Sequence, residues 1–157
     1  MTSKSRFVDV GAARVAVSIV QRSIEHTLAH PGVSAKQVLH LVVMDPGASP
    51  ATCSFEEGVL HEQSIGNTLD WDVDYAAFAR QKARLSWCHE MDSRRLIQIF
   101  PHRLGRCDST LWGGVWLDGI VVAASGALPA WDEAFSLWVA GGLRSIALER
   151  STGMSIA

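Results

Sequence analysis

Two imidazoles four residues apart on a helix share one face, a spacing at which both reach a single metal ion or one becomes an axial haem ligand. Here those residues are His26 and His30. Both are candidate cofactor-binding residues, and His26 is the candidate metal ligand, because His30 precedes Pro31 and the residue before a proline is pushed out of helical geometry. The same spacing also suits an ordinary helix end, where such side chains satisfy free carbonyls and complement the helix dipole. Lys82 stands among Phe78, Ala79 and Leu85. A lysine in apolar surroundings loses part of its preference for the charged form and can serve as a base or an anion anchor; otherwise its stem simply snorkels along a helix flank. Asp45 directly follows an apolar run and precedes Pro46, which would aim its carboxylate from a sheet edge into a site, or only onto the amides of its own turn. Lys82 and Asp45 are the catalytic candidates.

The chain has six tryptophans. Trp112 and Trp116 alternate along one run, and Trp131 and Trp138 lie two helical turns apart, so flat side chains could wall a pocket for a porphyrin or an aromatic substrate, or fill a core and an interface. Gly113 and Gly114, between the first two, permit close backbone approach and join Trp112 and Trp116 as cofactor-site candidates. Cys88-His89-Glu90 offers three ligand types, but neighbours on a helix point about 100° apart and cannot close on one ion without unwinding. Glu56-Glu57 reads as a solvated acidic pair.

Several elements must position these groups. Trp112–Leu117 and Ile120–Ser125 flank Asp118-Gly119, and a two-residue Asp-Gly turn between β-rich runs predicts a hairpin with positive φ at both turn residues. Pro129, with Asp132 and Glu133 in its first turn, opens a long helix through Arg150. Gly141-Gly142 inside it costs about 2 kcal/mol relative to alanines, which implies that the sheet or another subunit presses there. Upstream, Ala13, Val17, Val20, Ile24 and Leu28 trace a helix face stopped by Pro31-Gly32, with Val15 and Ile19 on a second side. Val38–Met44 is a strand closed by Asp45-Pro46-Gly47, and 51–55 is expected to return as the next strand. The loop through His61 and Gly66 receives no assignment. A helix through Tyr75–Ser86 is capped by Asp70 or Asp72, and 94–100 is a short helix or a strand. Hairpins with helices before and after them predict an α+β fold, an antiparallel sheet flanked by helices, in one domain over 1–157.

The totals narrow the function. At 157 residues and 48% hydrophobic, the chain can bury a true core without disulfides and leaves apolar surface for a homo-oligomer. A net charge of −2 without a basic run argues against a nucleic-acid partner. Three widely spaced cysteines read as reduced thiols, Asp9 and Arg14 interrupt any signal peptide, and no long uncharged apolar window spans a membrane, so the expected location is cytoplasmic.

The hairpin pattern, Gly113-Gly114-Val-x-Leu, Asp118-Gly119-x-Val121-Val122, Ser125-Gly126, then Asp132-Glu133, resembles the C-terminal signature of the GlcG/HbpS-like family, which includes the C-terminal domain of PduO-type proteins. The long first helix ending at Gly32-Val33, the Asp45-x-Gly47 turn and the Lys82-Ala83 pair fit the same pattern. Trp116 replaces the usual proline, Ala123 and Ala124 stand where glycine is common, and 61–71 has no counterpart. The resemblance implies an antiparallel α/β domain that assembles into oligomers and binds haem or a related tetrapyrrole, with His26 the expected ligand. The alternative expectation is a cofactor-independent enzyme acting on a small anionic or aromatic metabolite between the Gly113-Gly114 strand, Lys82 and Asp45, with Arg103 or Arg106 holding a carboxylate.

Overall fold

The computed structural model describes residues 4–153, so Met1–Ser3 and the last four residues, ends of the expected single domain, lie outside the described residues. The chain begins with α1 (Val10–Leu28), where Asp9 accepts a hydrogen bond from the Ala12 amide and so satisfies one of the free donors of the first turn. Next come β1 (Leu39–Met44), the single-turn α2 (Phe55–Gly58) and β2 (Val59–Ile65). Then α3 (Tyr75–His89), α4 (Ser93–Ile99), β3 (Gly114–Leu117), β4 (Ile120–Ser125) and α5 (Pro129–Thr152) complete the chain. The fold is α+β, with one four-stranded antiparallel sheet in the order β2-β1-β4-β3.

All six residues of β1 and of β4 are buried, which is why both read as unbroken apolar runs: they are the central strands and are covered on both faces. Leu39, Leu41, Val43, Val115, Val122 and Ala124 point to one face and form a core with α1 and α5 through Val17, Ile24, Phe135, Val139 and Leu143. Val42, Met44, Val121 and Ala123 point the other way and pack on Ala79, Ala83 and Trp87 of α3. The sheet is thus the middle of three layers.

Several sequence expectations change here. The return strand is 59–65, not 51–55: the Thr52 hydroxyl accepts from the Ser49 amide and donates to the Ser49 carbonyl in a turn, and Ser54 opens α2 through a capping box with Glu57. Strand β2 escaped notice because it is an edge strand, half-buried and polar on both sides. Neither Asp70 nor Asp72 caps α3; Asp74 does, accepting from the Ala77 amide, while Asp70 closes a short 3₁₀ turn and Asp72 accepts the Tyr75 hydroxyl at 2.5 Å. The 94–100 segment is helical. Asp118 (φ 51°) and Gly119 (φ 88°) adopt the left-handed turn that the hairpin requires. What lies against Gly142 is Ala16 of α1, 3.6 Å from where a Cβ would stand, and Gly141 faces open space, so neither the sheet nor a crowded contact explains the pair.

Candidate functional site

The face of α3 toward the sheet is built from Ala79, Lys82, Ala83 and Ser86, small residues around one long one. Small side chains let the helix backbone settle onto β3, and the approach is close enough that a Cβ on Gly114 would lie 2.5 Å from the Lys82 carbonyl oxygen. One residue earlier, a Cβ on Gly113 (φ +135°) would stand 2.9 Å from Lys82 Cδ and 3.0 Å from Asp132 Cβ. The two glycines therefore make the passage through which the lysine stem runs from α3, on one face of the sheet, to α5, on the other. Serines clasp that passage: Ser136 donates to the Gly113 carbonyl at 2.6 Å, and Ser93 both accepts from the Gly114 amide at 3.0 Å and donates to its carbonyl at 3.3 Å. The Gly113 carbonyl also accepts from the Ala124 amide at 3.2 Å, whereas the Gly114 groups, on the outer side of the edge strand, have Ser93 as their partner.

At the end of the passage Lys82 Nζ donates to Asp132 Oδ2 at 2.9 Å and to the Ala124 carbonyl at 3.0 Å. The other carboxylate oxygen accepts from the Ala127 amide at 2.9 Å. Both side chains are 2% exposed. Burial favours the neutral form of each partner: it pulls Lys82 below the ordinary lysine range and pushes Asp132 up to about 6, with the mutual attraction and the amides of Ala127 and Gly126 opposing the shift at Asp132.

The pair borders a cleft of about 600 Å³. Its walls are the loop from Gly32 to Ala35, the Val73, Tyr75 and Phe78 end of α3, Leu111, and the Ser125–Pro129 turn into α5. The lining is mostly apolar, with a few convergent polar groups, the usual make-up of a small-molecule site. Tyr75 is held protonated, its hydroxyl pushed up to about 12 by burial and by its bond to Asp72.

A second polar group lies on the same sheet face beside α3. His40 Nδ1 is 2.8 Å from Ser64 Oγ and its Nε2 is 3.1 Å from Glu62, whose carboxylate takes two bonds from Arg80 at 2.8 and 3.1 Å. Trp71 stands edge-on to both His40 and Tyr75, linking this network to the cleft wall.

The expected site residues scatter around this centre. Lys82 is at it, and Gly113 and Gly114 support it from the sheet side without lining the cleft. Asp45 lies at the far end of β1, buried, accepting from the amides of Ser5 at 2.9 Å and Gly47 at 2.8 Å, so it ties the N-terminal segment to a turn. Trp116 packs on the α3 side, its amide bonded to Asp92 at 2.9 Å; Trp112 is half-buried just before β3, and neither lines the cleft. His26 and His30 are exposed, their rings edge-on at 5.1 Å, and they too stand outside the lining. Arg103 and Arg106 are exposed and likewise outside it.

Glu56 and Glu57 divide between an ion pair with Arg84 and the α2 capping box. Among the described residues no three His, Cys, Asp or Glu side chains group as a metal site, and no helix is long and apolar enough to cross a membrane.

Asp132 is the candidate residue that the sequence places otherwise, as a first-turn charge rather than a partner of Lys82. The sequence signals only the need, since a lysine on an apolar helix face calls for a counter-charge; which carboxylate supplies it is decided by the fold. No protein-family model matches the chain, and no curated protein matches it.

Proposed function

We propose that the protein binds a small molecule in the cleft above Lys82 and Asp132, and that this pair performs acid–base chemistry on the bound molecule. One observation carries the reading: a fully buried ammonium–carboxylate pair lines an apolar-walled cleft of about 600 Å³, where replacing it by hydrophobic residues would cost little or even stabilise the fold. Buried groups whose proton affinities are drawn toward neutrality are the signature of sites that move protons. Lys82 donates as the ammonium and accepts as the amine; Asp132, tethered through Oδ1, takes or returns that proton at Oδ2.

The resemblance to the GlcG/HbpS-like family belongs to this proposal, and its support is that two positions it marks, Lys82 and Asp132, are bonded to each other. Homo-oligomerisation belongs here too, since Ile19 is 66% and Leu148 59% exposed on adjoining α1 and α5. A cytoplasmic location rests on three cysteines that are unpaired.

Thermal-shift screening against hemin, cobalamin, small carboxylates and small aromatic alcohols and aldehydes tests the cleft. A ligand that raises the melting temperature of the native protein but not of Lys82→Met supports it. A ligand that stabilises both equally overturns it.

The tetrapyrrole reading is favoured by one separate observation, the exposed, adjacent imidazoles of His26 and His30. A Soret band that survives desalting and disappears in His26→Ala supports that reading; a band unchanged in His26→Ala and His30→Ala removes the ligand assignment.

A further inference from the structure

The floor of the cleft is unusual in being charged yet neutral overall. An anion entering it would meet the Lys82 ammonium and the Asp132 carboxylate together, since the two are 2.9 Å apart, so a net electrostatic clamp for an anionic ligand is lacking there. What the floor offers instead is an amine and a proton carrier in contact. We propose that Lys82 forms an imine with the carbonyl carbon of a small, largely apolar aldehyde or ketone seated in this cleft. The inference rests on the reading of the cleft as a ligand site and adds the substrate class and the covalent step.

The geometry supplies each part of that step. Lys82 Nζ has two polar partners, the Ala124 carbonyl and Asp132 Oδ2, and of these only the carboxylate can accept the ammonium proton. After that transfer the nitrogen lone pair attacks the carbonyl carbon, a C–N bond forms, and the carbonyl oxygen takes the proton now on Asp132. The resulting carbinolamine nitrogen gives its proton back to Asp132; the hydroxyl leaves as water with a proton from the same carboxyl, and the C=N bond closes. One carbonyl compound and the Lys82 ammonium become one protonated imine and one water, with Asp132 again a carboxylate and no oxidant or reductant consumed. Asp132 is held for all four proton transfers because the Ala127 amide fixes its other oxygen. Phe78, Leu111, Val33 and Leu128 line the same space with apolar surface, which disfavours water at the C=N bond. Desolvation by the protein also raises the share of neutral, nucleophilic amine.

Only three lysines occur in the chain, Lys4, Lys36 and Lys82, so lysine chemistry can be read site by site. The full-length protein is incubated near pH 7 with benzaldehyde and sodium cyanoborohydride, and labelling is followed by intact mass and peptide mapping, with benzyl alcohol as a non-carbonyl probe in parallel thermal-shift runs. The expected result is one benzyl group on Lys82, appearing about tenfold faster than on exposed Lys36 although Lys82 is buried. Asp132→Asn, which keeps the shape of the carboxyl, should slow Lys82 labelling on the order of 100-fold and leave Lys36 unchanged. If benzyl alcohol stabilises the protein but Lys82 is labelled no faster than Lys36, the imine is overturned and the ligand site stands. If benzyl alcohol and benzaldehyde both leave the melting temperature unchanged and Lys82 stays unlabelled, both readings fall for this ligand class.

Discussion

Two pairs of polar side chains invite comparison: His26 with His30, and Lys82 with Asp132. The first is local, four residues apart at the end of one helix, and both rings are exposed. The second joins residues fifty apart from opposite faces of the sheet and is nearly sealed from solvent. Spacing makes the first pair conspicuous in the sequence, yet water can satisfy it at no cost to the fold. The second is inconspicuous, and the fold is built around it: two glycines clear its path, three small residues lower α3 onto the sheet, and the serines of α4 and α5 close the gap. A group that the surrounding structure is shaped to admit is the better guide to function.

The largest expected effect separates the two pairs by stability. Asp132→Leu leaves a buried ammonium without its counter-charge and removes the acceptor of the Ala127 amide, and should cost about 3–5 kcal/mol in denaturant unfolding. The double change Lys82→Met with Asp132→Leu should recover most of that loss, because both desolvation penalties disappear together. Gly114→Ala comes next. Its Cβ would press on the Lys82 carbonyl at 2.5 Å and on Ser86 Oγ at 2.6 Å, a backbone conflict expected to cost about 1–3 kcal/mol in the same measurement.

A pH dependence sharpens the contrast further. Folded Asp132 keeps its proton up to about 6, whereas an unfolded aspartate loses it near 3.8, so between those values the native state binds more protons than the unfolded one. Its contribution to stability is fully present below pH 3.8 and is lost as pH rises through about 6. Lys82 acts at the alkaline side, where its depressed affinity makes stability rise with pH. The stability of the native protein relative to Asp132→Asn, which mimics the protonated acid, should therefore fall between about pH 4 and pH 6. A flat difference curve over that range would show that Asp132 titrates as an ordinary aspartate. The smallest effect belongs to the exposed pair: His26→Ala and His30→Ala should each change unfolding free energy by less than about 0.5 kcal/mol.

The same contrast explains how much was legible in the sequence. The hairpin was, since Asp118-Gly119 fixes its turn locally, and so were α1, whose apolar periodicity matches the face it buries, β1, an unbroken apolar run closed by Asp45-Pro46-Gly47, and α5, opened by Pro129 with acidic residues in its first turn. Strand β2 was not, because an edge strand half-exposed on both sides carries His61, Glu62, Gln63 and Ser64 where alternation would have shown a hydrophobic face. The cap of α3 was off by one turn at most, three aspartates in five residues being chemically equivalent until the backbone selects Asp74. For the site, Lys82 could be singled out by its apolar neighbours, and Gly113-Gly114 by their need for close approach. Asp132 could not be tied to Lys82, nor His40 to Ser64 and Glu62, because those contacts exist only after the strands pair and the helices cross. Asp45 shows the converse, a residue placed convincingly by its local sequence that serves a turn at the other end of β1.

The most direct measurement of the account is an NMR titration of the protein labelled with ¹³C at lysine ε carbons, followed against hemin, small carboxylates and small aromatic aldehydes and alcohols. With three lysines in the chain, the buried Lys82 signal is resolved from the exposed Lys36. The account predicts a saturable shift of Lys82 alone with at least one aldehyde or alcohol. A protein that binds hemin through the imidazoles of His26 and His30 while Lys82 remains unmoved by every ligand would contradict it.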